Sequence, residues 1–275
     1  MYNHRKAFSE LEFTDDFMFC KILTDNKDLC RELLELILEI RIRKIEFSDS
    51  QKEFKNTYDA KGIRLDVYVE DDNNTVYDIE MQTTVRRDLA KRIRVYQGMI
   101  DLNLIGTNQH YSKLKETYII FICLEDPFEK NLPVYHFRNV CLEDASVEMP
   151  DGAHRVILNA GGSREGLSDE MAAFLDYLKD RKTDSAFTER LQKQVEQAIT
   201  RKQWEGEYMT LEMKLMDLEM EYREELEKQV AQVIAEKDAE MNNAITEKDN
   251  TIAEKDSTIA ALKAQLAAYQ ADQNK

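Results

Sequence analysis

The sequence predicts an α/β domain with a mixed sheet flanked by helices, followed by one long C-terminal helix. Three observations carry that reading. Two stretches, 63–70 and 76–82, alternate apolar and polar residues with period two on either side of a turn-like Asp71-Asp72-Asn73-Asn74-Thr75. A helical segment and then an apolar run, Thr117 to Leu124, come next. From 207 to 275 there is neither Gly nor Pro, and apolar residues recur at spacings of three and four. At 275 residues the chain can hold one sizeable domain and an appendage. The expected division is 1–183 for the α/β domain and 184–275 for a helical extension and coiled coil.

Near the start, Ser9 and Glu12 have capping-box spacing, and a short helix is expected over 14–23. Asn26 can cap a second helix ending near Ile40, with Leu29, Leu33, Leu36, Ile37 and Ile40 as its apolar stripe. Residues 45–60 are polar and mixed, without a period. In the two alternating runs, Ile63, Leu65, Val67 and Val69, then Tyr77, Ile79 and Met81, mark the core side of an antiparallel hairpin. A helix over 86–105 carries Leu89, Ile93, Tyr96 and Ile100 on one side. The run TYIIFICL reads as a central strand ended by Asp126-Pro127, with further strands near 134–140 and 154–158. Two helices are expected near 168–180 and 184–200. In the tail, Leu211, Leu215, Leu218, Tyr222, Leu226, Val230 and Val233 are followed by Ile245, Ile252, Ile259 and Leu266 at intervals of seven. Glu-Lys-Asp repeats at 236, 247 and 254. This is coiled-coil patterning. Lys248 and Lys255 fall where a second seam position is due and thin its end.

The formal net charge is −16. Residues 205–275 hold 17 acidic and 8 basic residues, more than half of that excess in about a quarter of the length. Sequence-independent binding to nucleic acid needs phosphate neutralisation, so any such binding must rest on a local basic surface. No apolar run reaches membrane-spanning length, and the polar stretch 1–10 carries no secretory signal. The four cysteines form no C-x-x-C pair and sit in apolar stretches, which fits reduced core residues in a cytoplasmic protein. The four histidines are far apart, and no Gly-x-Ser-x-Gly, phosphate-binding glycine loop or paired-histidine motif is present.

A register that puts both apolar sets on one face pairs 70 with 76, 68 with 78 and 66 with 80. Asp66 then lies opposite Glu80 on the face away from the apolar set, with Gln82 pointing to the same side opposite Arg64. Like charges so placed repel, and a divalent cation between them turns repulsion into coordination. Oxygen donors suit Mg2+ or Mn2+. A solvated acidic face is the competing reading. Just beyond, Arg86, Arg87, Lys91, Arg92 and Arg94 form the densest basic cluster in the chain. Cations beside a metal site are what a phosphodiester needs.

These residues resemble a known family. Arg64-Leu-Asp-Val-Tyr-Val and Tyr77-Asp-Ile-Glu-Met-Gln look like the core motif of the recombination-promoting nuclease and transposase family, within the PD-(D/E)XK nuclease superfamily. Asp16-Phe-Met-Phe, the run from Lys91 to Asp101, Tyr118-Ile-Ile-Phe-Ile-Cys with Asp126-Pro-Phe, and Ile157-Leu-Asn-Ala-Gly-Gly fit as well. The likeness spans roughly 10–210. It implies a restriction-endonuclease-like core and Mg2+-dependent DNA cleavage linked to recombination or mobile DNA. Asp66 and Glu80 become metal ligands by this likeness, and Asp16 a residue near the site, with a helix cap as its competing role. Gln82 falls where the superfamily motif usually has Lys, a departure that can lower the rate because an amide only hydrogen-bonds.

The expected mechanism has Asp66, Glu80 and the next carbonyl hold the ion, Gln82 orient the water, and the basic cluster bind DNA phosphates, with Arg64 as an accessory. The coiled coil would make a homo-oligomer. A nuclease fold kept as a weak or inactive DNA-binding or regulatory module, or a coiled-coil scaffold, are the rival readings.

Overall fold

A computed structural model of the chain describes residues 6–47, 53–54, 63–106 and 108–273, with backbone alone at 53–54, 63–64 and 268–273. Two helices open it, α1 (Asp16–Asp25) and α2 (Lys27–Leu38). The Asn26 side chain accepts from the backbone N–H of Leu29 and caps α2, as its position suggests. The helix stops at Glu39, which takes a left-handed conformation at φ 55°. The Ser9–Glu12 capping box does not form. The Glu12 N–H instead donates to Asp15 Oδ2, and Glu10 Oε2 accepts from Ala7, so α1 begins at Asp16.

The strands are β1 (Ile45–Phe47), β2 (Glu53–Phe54), β3 (Ile63–Arg64), β4 (Val67–Asp71) and β5 (Val76–Gln82), then β6 (Thr117–Cys123), β7 (Val134–Phe137) and β8 (Ala153–Asn159). Helix α3 (Leu89–Leu104) connects β5 to β6, and α4 (Asp169–Asp180), α5 (Ala186–Ala198) and α6 (Lys202–Gln273) complete the chain. Six strands form one mixed sheet in the order β1-β4-β5-β6-β8-β7, and β2 pairs with β3 separately. β4 and β5 are antiparallel, while β5–β6 and β6–β8 are parallel. β1 escaped the sequence reading because three residues show no period; its pairing with 69–71 makes it a strand.

The hairpin register is the expected one, with Glu70 opposite Val76 and Tyr68 opposite Asp78. The Asp71 carboxylate fastens the turn by accepting from Asn73 N, Thr75 N and the Tyr77 hydroxyl, while Asn74 takes φ 62°. The polar side of β5 is not solvated, however. Every residue from Val76 to Gln82 is buried. Helix α3 covers that side: Leu89, Ile93, Tyr96, Met99 and Ile100 share a cluster with Tyr68, Val76, Ile119, Phe121 and Ile157. On the alternate positions Val67, Val69, Ile79, Ile120 and Ile122 are equally buried, and α1 packs against β4. β5 and β6 are central strands with both faces covered, so period two gives way to burial throughout.

α3 starts at Leu89, not at 86, because Asp88 takes the position before the helix and its carbonyl accepts from Lys91 and Arg92. Arg86 and Arg87 therefore precede the helix. Ser168 and Ser185 cap α4 and α5. Phe187, Leu191 and Val195 of α5 are buried, and α5 packs on α1 and α4. The compact unit accordingly runs to Tyr208, beyond the 183/184 division expected from sequence, and residues from Met209 form a second unit. That second unit is helical throughout its described length, and its seam residues Leu215, Leu218, Tyr222, Leu226 and Val230 are exposed. Cys20, Cys30 and Cys123 are buried and in no disulfide; Cys141 lies nearer the surface, its thiol donating to Glu143. Among the described residues no helix is long and apolar enough to cross a membrane.

Ile120, fully buried on β6, reports on the covered sheet. Ile120→Ala is expected to cost about 2–5 kcal/mol in urea denaturation. A loss under about 1 kcal/mol would mean that its face of the sheet is loosely packed.

Candidate active site

The β4–β5 ladder ends at Val67 opposite Ile79. One step further, side chains take over from the ladder. The Asp66 N–H donates to Glu80 Oε1 at 2.9 Å, and the Met81 N–H donates to Asp66 Oδ2 at 3.1 Å. Each acid is thus held by the backbone of the other strand. This clasp sets Asp66 and Glu80 side by side, as the register demands, and the chain bends at Asp66. Arg64 consequently does not stand opposite Gln82; its backbone pairs with Glu53 in the small β2–β3 ladder, and its side chain lies outside the described residues.

The pair is buried more deeply than an alternating hairpin would suggest. Glu80 is 3% exposed and Gln82 8%, whereas Asp66 is partly open. A third acid joins them. Asp78 precedes Glu80 by two residues on the same side of β5 and is fully buried, and no hydrogen-bond donor among the described residues reaches either of its oxygens. Burial first, then the Asp66 charge, pushes the Asp78 carboxyl well above its ordinary range. Burial, then the charges of Asp78 and Asp66, does the same to Glu80, partly offset by the Asp66 N–H and by Arg92. The period-two pattern already put Asp78 on the Glu80 side; its importance was not visible because burial of that side was not.

Gln82 is committed at both ends. Its Nε2 donates to the Thr84 carbonyl at 3.0 Å, and its Oε1 accepts from Arg92 Nη1 at 2.6 Å. Arg92 also donates from Nη2 to the Tyr96 hydroxyl at 3.0 Å, and its guanidinium lies 5.5 Å from the ring centres of both Tyr96 and Phe121. Partial burial works against its charge, but the Tyr96 hydroxyl and the Glu80 and Asp88 carboxylates hold its pKa above the ordinary value. The structure so divides the basic cluster. Arg86, Arg87, Lys91 and Arg94 are exposed; Arg92 is half-buried beside the acids. The signal was present in the sequence: three after Leu89 and four before Tyr96, Arg92 falls within the apolar stripe of α3. Asp16, in the first turn of α1, is exposed, on a helix that packs against β4.

The mixed six-stranded sheet with its flanking helices and parallel crossover fits the restriction-endonuclease-like fold. The chain belongs to the PD-(D/E)XK nuclease family transposases, whose family pattern matches residues 13–227. No curated protein and no solved structure matches it. Family membership points to a nuclease role connected with mobile DNA.

As donors, the residues present suit a hard cation. Their contacting atoms are carboxyl oxygens, two of the three groups are buried, and half-buried Arg92 lies beside them. Among the described residues no three His, Cys, Asp or Glu side chains converge as a cage. Mg2+ commonly takes only one or two carboxylates and keeps water on its remaining positions.

Asp78 and Glu80 bind protons more tightly folded than unfolded, so stability falls as pH rises from the ordinary carboxylate range through their raised values. Asp78→Asn removes one of these groups. With chelator present, its melting temperature is expected to fall less than that of the unsubstituted protein between about pH 4 and pH 8. Parallel pH curves for the two proteins would show that Asp78 titrates normally.

Proposed function

We propose that this protein is a metal-dependent DNA endonuclease acting in recombination or on mobile DNA. The observation that carries the reading is the clasp that holds Asp66 and Glu80 together at the end of the hairpin ladder. Those two side chains, with the Met81 carbonyl, would hold one Mg2+ or Mn2+. A bound ion of this kind supplies Lewis-acid polarisation of a phosphoryl oxygen and lowers the pKa of a water. Hydrolysis would join a water oxygen to phosphorus as the ester P–O bond breaks. One water proton ends on the departing oxygen and the other passes to solvent.

The chain's own residues supply position and charge. Asp66 and Glu80 stay fixed because each accepts a backbone N–H, so neither needs to reorganise as a ligand arrives. Arg86, Arg87, Lys91 and Arg94 are exposed in and just before α3, next in sequence to the acid-bearing strand, and would grip flanking phosphates. This local cluster answers the objection raised by a net charge of −16. The exposed apolar seam of the tail would close on a second copy, giving one assembly two sites for two strands.

Asp66→Ala and Glu80→Ala are each expected to lower Mg2+-dependent nicking of plasmid DNA by at least about a hundredfold. Unchanged nicking in both would end the assignment. Lys91→Ala should weaken DNA binding and reduce the salt dependence of binding by about one phosphate contact. Cutting the chain after Tyr208 should convert an oligomer to a monomer in light scattering; a monomeric full-length chain would remove the coiled-coil reading.

A further inference from the structure

In the superfamily motif the third position is usually Lys, and here it is Gln82. A site that gathers three acids, two of them buried, needs a positive charge, and the strand does not supply it. Helix α3 does. Gln82 Oε1 accepts from Arg92 Nη1 at 2.6 Å, and the Tyr96 hydroxyl takes Nη2 at 3.0 Å. The guanidinium lies over the ring of Phe121, which is the ladder partner of Glu80 on β6. Arg92 is therefore bracketed by Gln82, two residues from Glu80 along β5, and Phe121, directly across from it. The other basic residues of the cluster point to solvent.

We infer that Arg92 is the cation of the active site, delivered from the crossover helix in place of the motif lysine, and that Gln82 is the residue that positions it. The inference rests on the nuclease reading above. Its chemistry differs from that of a lysine in one respect. A guanidinium stays protonated at any working pH, so it offsets charge on the phosphoryl oxygens without ever taking the water's proton. Its planar fork is matched to the job: two donors are spent on Gln82 and Tyr96, and the remaining edge can face a phosphate. Aromatic faces on Tyr96 and Phe121 support the cation where solvent is partly excluded.

The test separates a site cation from a DNA anchor. Arg92→Gln, Arg92→Lys and the double variant Gln82→Lys/Arg92→Gln are compared with the unsubstituted full-length protein. Measured are cleavage in Mg2+, DNA affinity in Ca2+ to separate binding from cleavage, and Mn2+ affinity by calorimetry without DNA. Arg92→Gln is expected to lose about a hundredfold in kcat, with DNA affinity changed less than about threefold. Arg92→Lys should keep part of the rate, and the double variant, which returns the charge to β5, should recover at least about tenfold over Arg92→Gln. Mn2+ should bind Arg92→Gln several-fold more tightly, because a repelling charge beside the acids has gone.

Cleavage by Arg92→Gln at the unsubstituted rate would overturn the inference. So would a loss of DNA affinity matching the loss of rate, which would make Arg92 a phosphate anchor. If the unsubstituted protein does not cleave, the nuclease reading fails on its own, and the Mn2+ titration decides this one: unchanged affinity in Arg92→Gln overturns it. Should Arg92→Gln fail to fold, Tyr96→Phe replaces it. That variant removes one bond to the guanidinium and keeps the ring beneath it; a lower kcat at unchanged DNA affinity is expected, and an unchanged kcat overturns the inference.

Discussion

The site depends on a substitution of one kind of hydrogen bond for another. Where the β4–β5 ladder stops, two carboxylates take the place of two carbonyls as acceptors for strand N–H groups. A backbone ladder would have carried the strands on in register with acids facing each other at random rotamers. The clasp fixes both rotamers and brings two like charges together at a point where nothing in the main chain would favour it. Charge-assisted hydrogen bonds of this kind are stronger than those of neutral partners, which offsets part of the repulsion.

Everything around the clasp adds to that electrostatic load or answers it. Burial beneath α3 raises the cost of ionising Asp78 and Glu80, and among the described residues no donor reaches the Asp78 carboxyl. Arg92 and the aromatic rings beside it answer from α3. Helix α3 therefore has two duties. Leu89, Ile93, Met99 and Ile100 close the core, and Arg92, in the same stripe, brings charge to the acids.

Much of this was legible from residue order. Alternation about Asp71–Thr75 set the hairpin register, and with it the meeting of Asp66 and Glu80, because a one-residue slip would have turned every apolar residue outward. The absence of Gly and Pro after Gly206 announced the long helix. What alternation did not reveal was depth. A strand with polar residues on every second position reads as half-exposed, and only the parallel pairing with β6 and the cover of α3 bury the polar half. For that reason Asp78 passed as an ordinary surface acid and Arg92 as one more member of a basic patch. β1 was missed because its three residues become a strand only through their partner. The reach of the compact unit past α5 was hidden for a similar reason: Phe187 and Leu191 look like any amphipathic helix until α1 and α4 receive them.

The acids, the amide, the guanidinium and the rings all come from one uninterrupted span, 66–123, comprising a hairpin, its crossover helix and the strand that returns beside it. The span is thus a self-contained unit: a change in the tail, in β7 or in the terminal helices touches none of the residues that form the cluster.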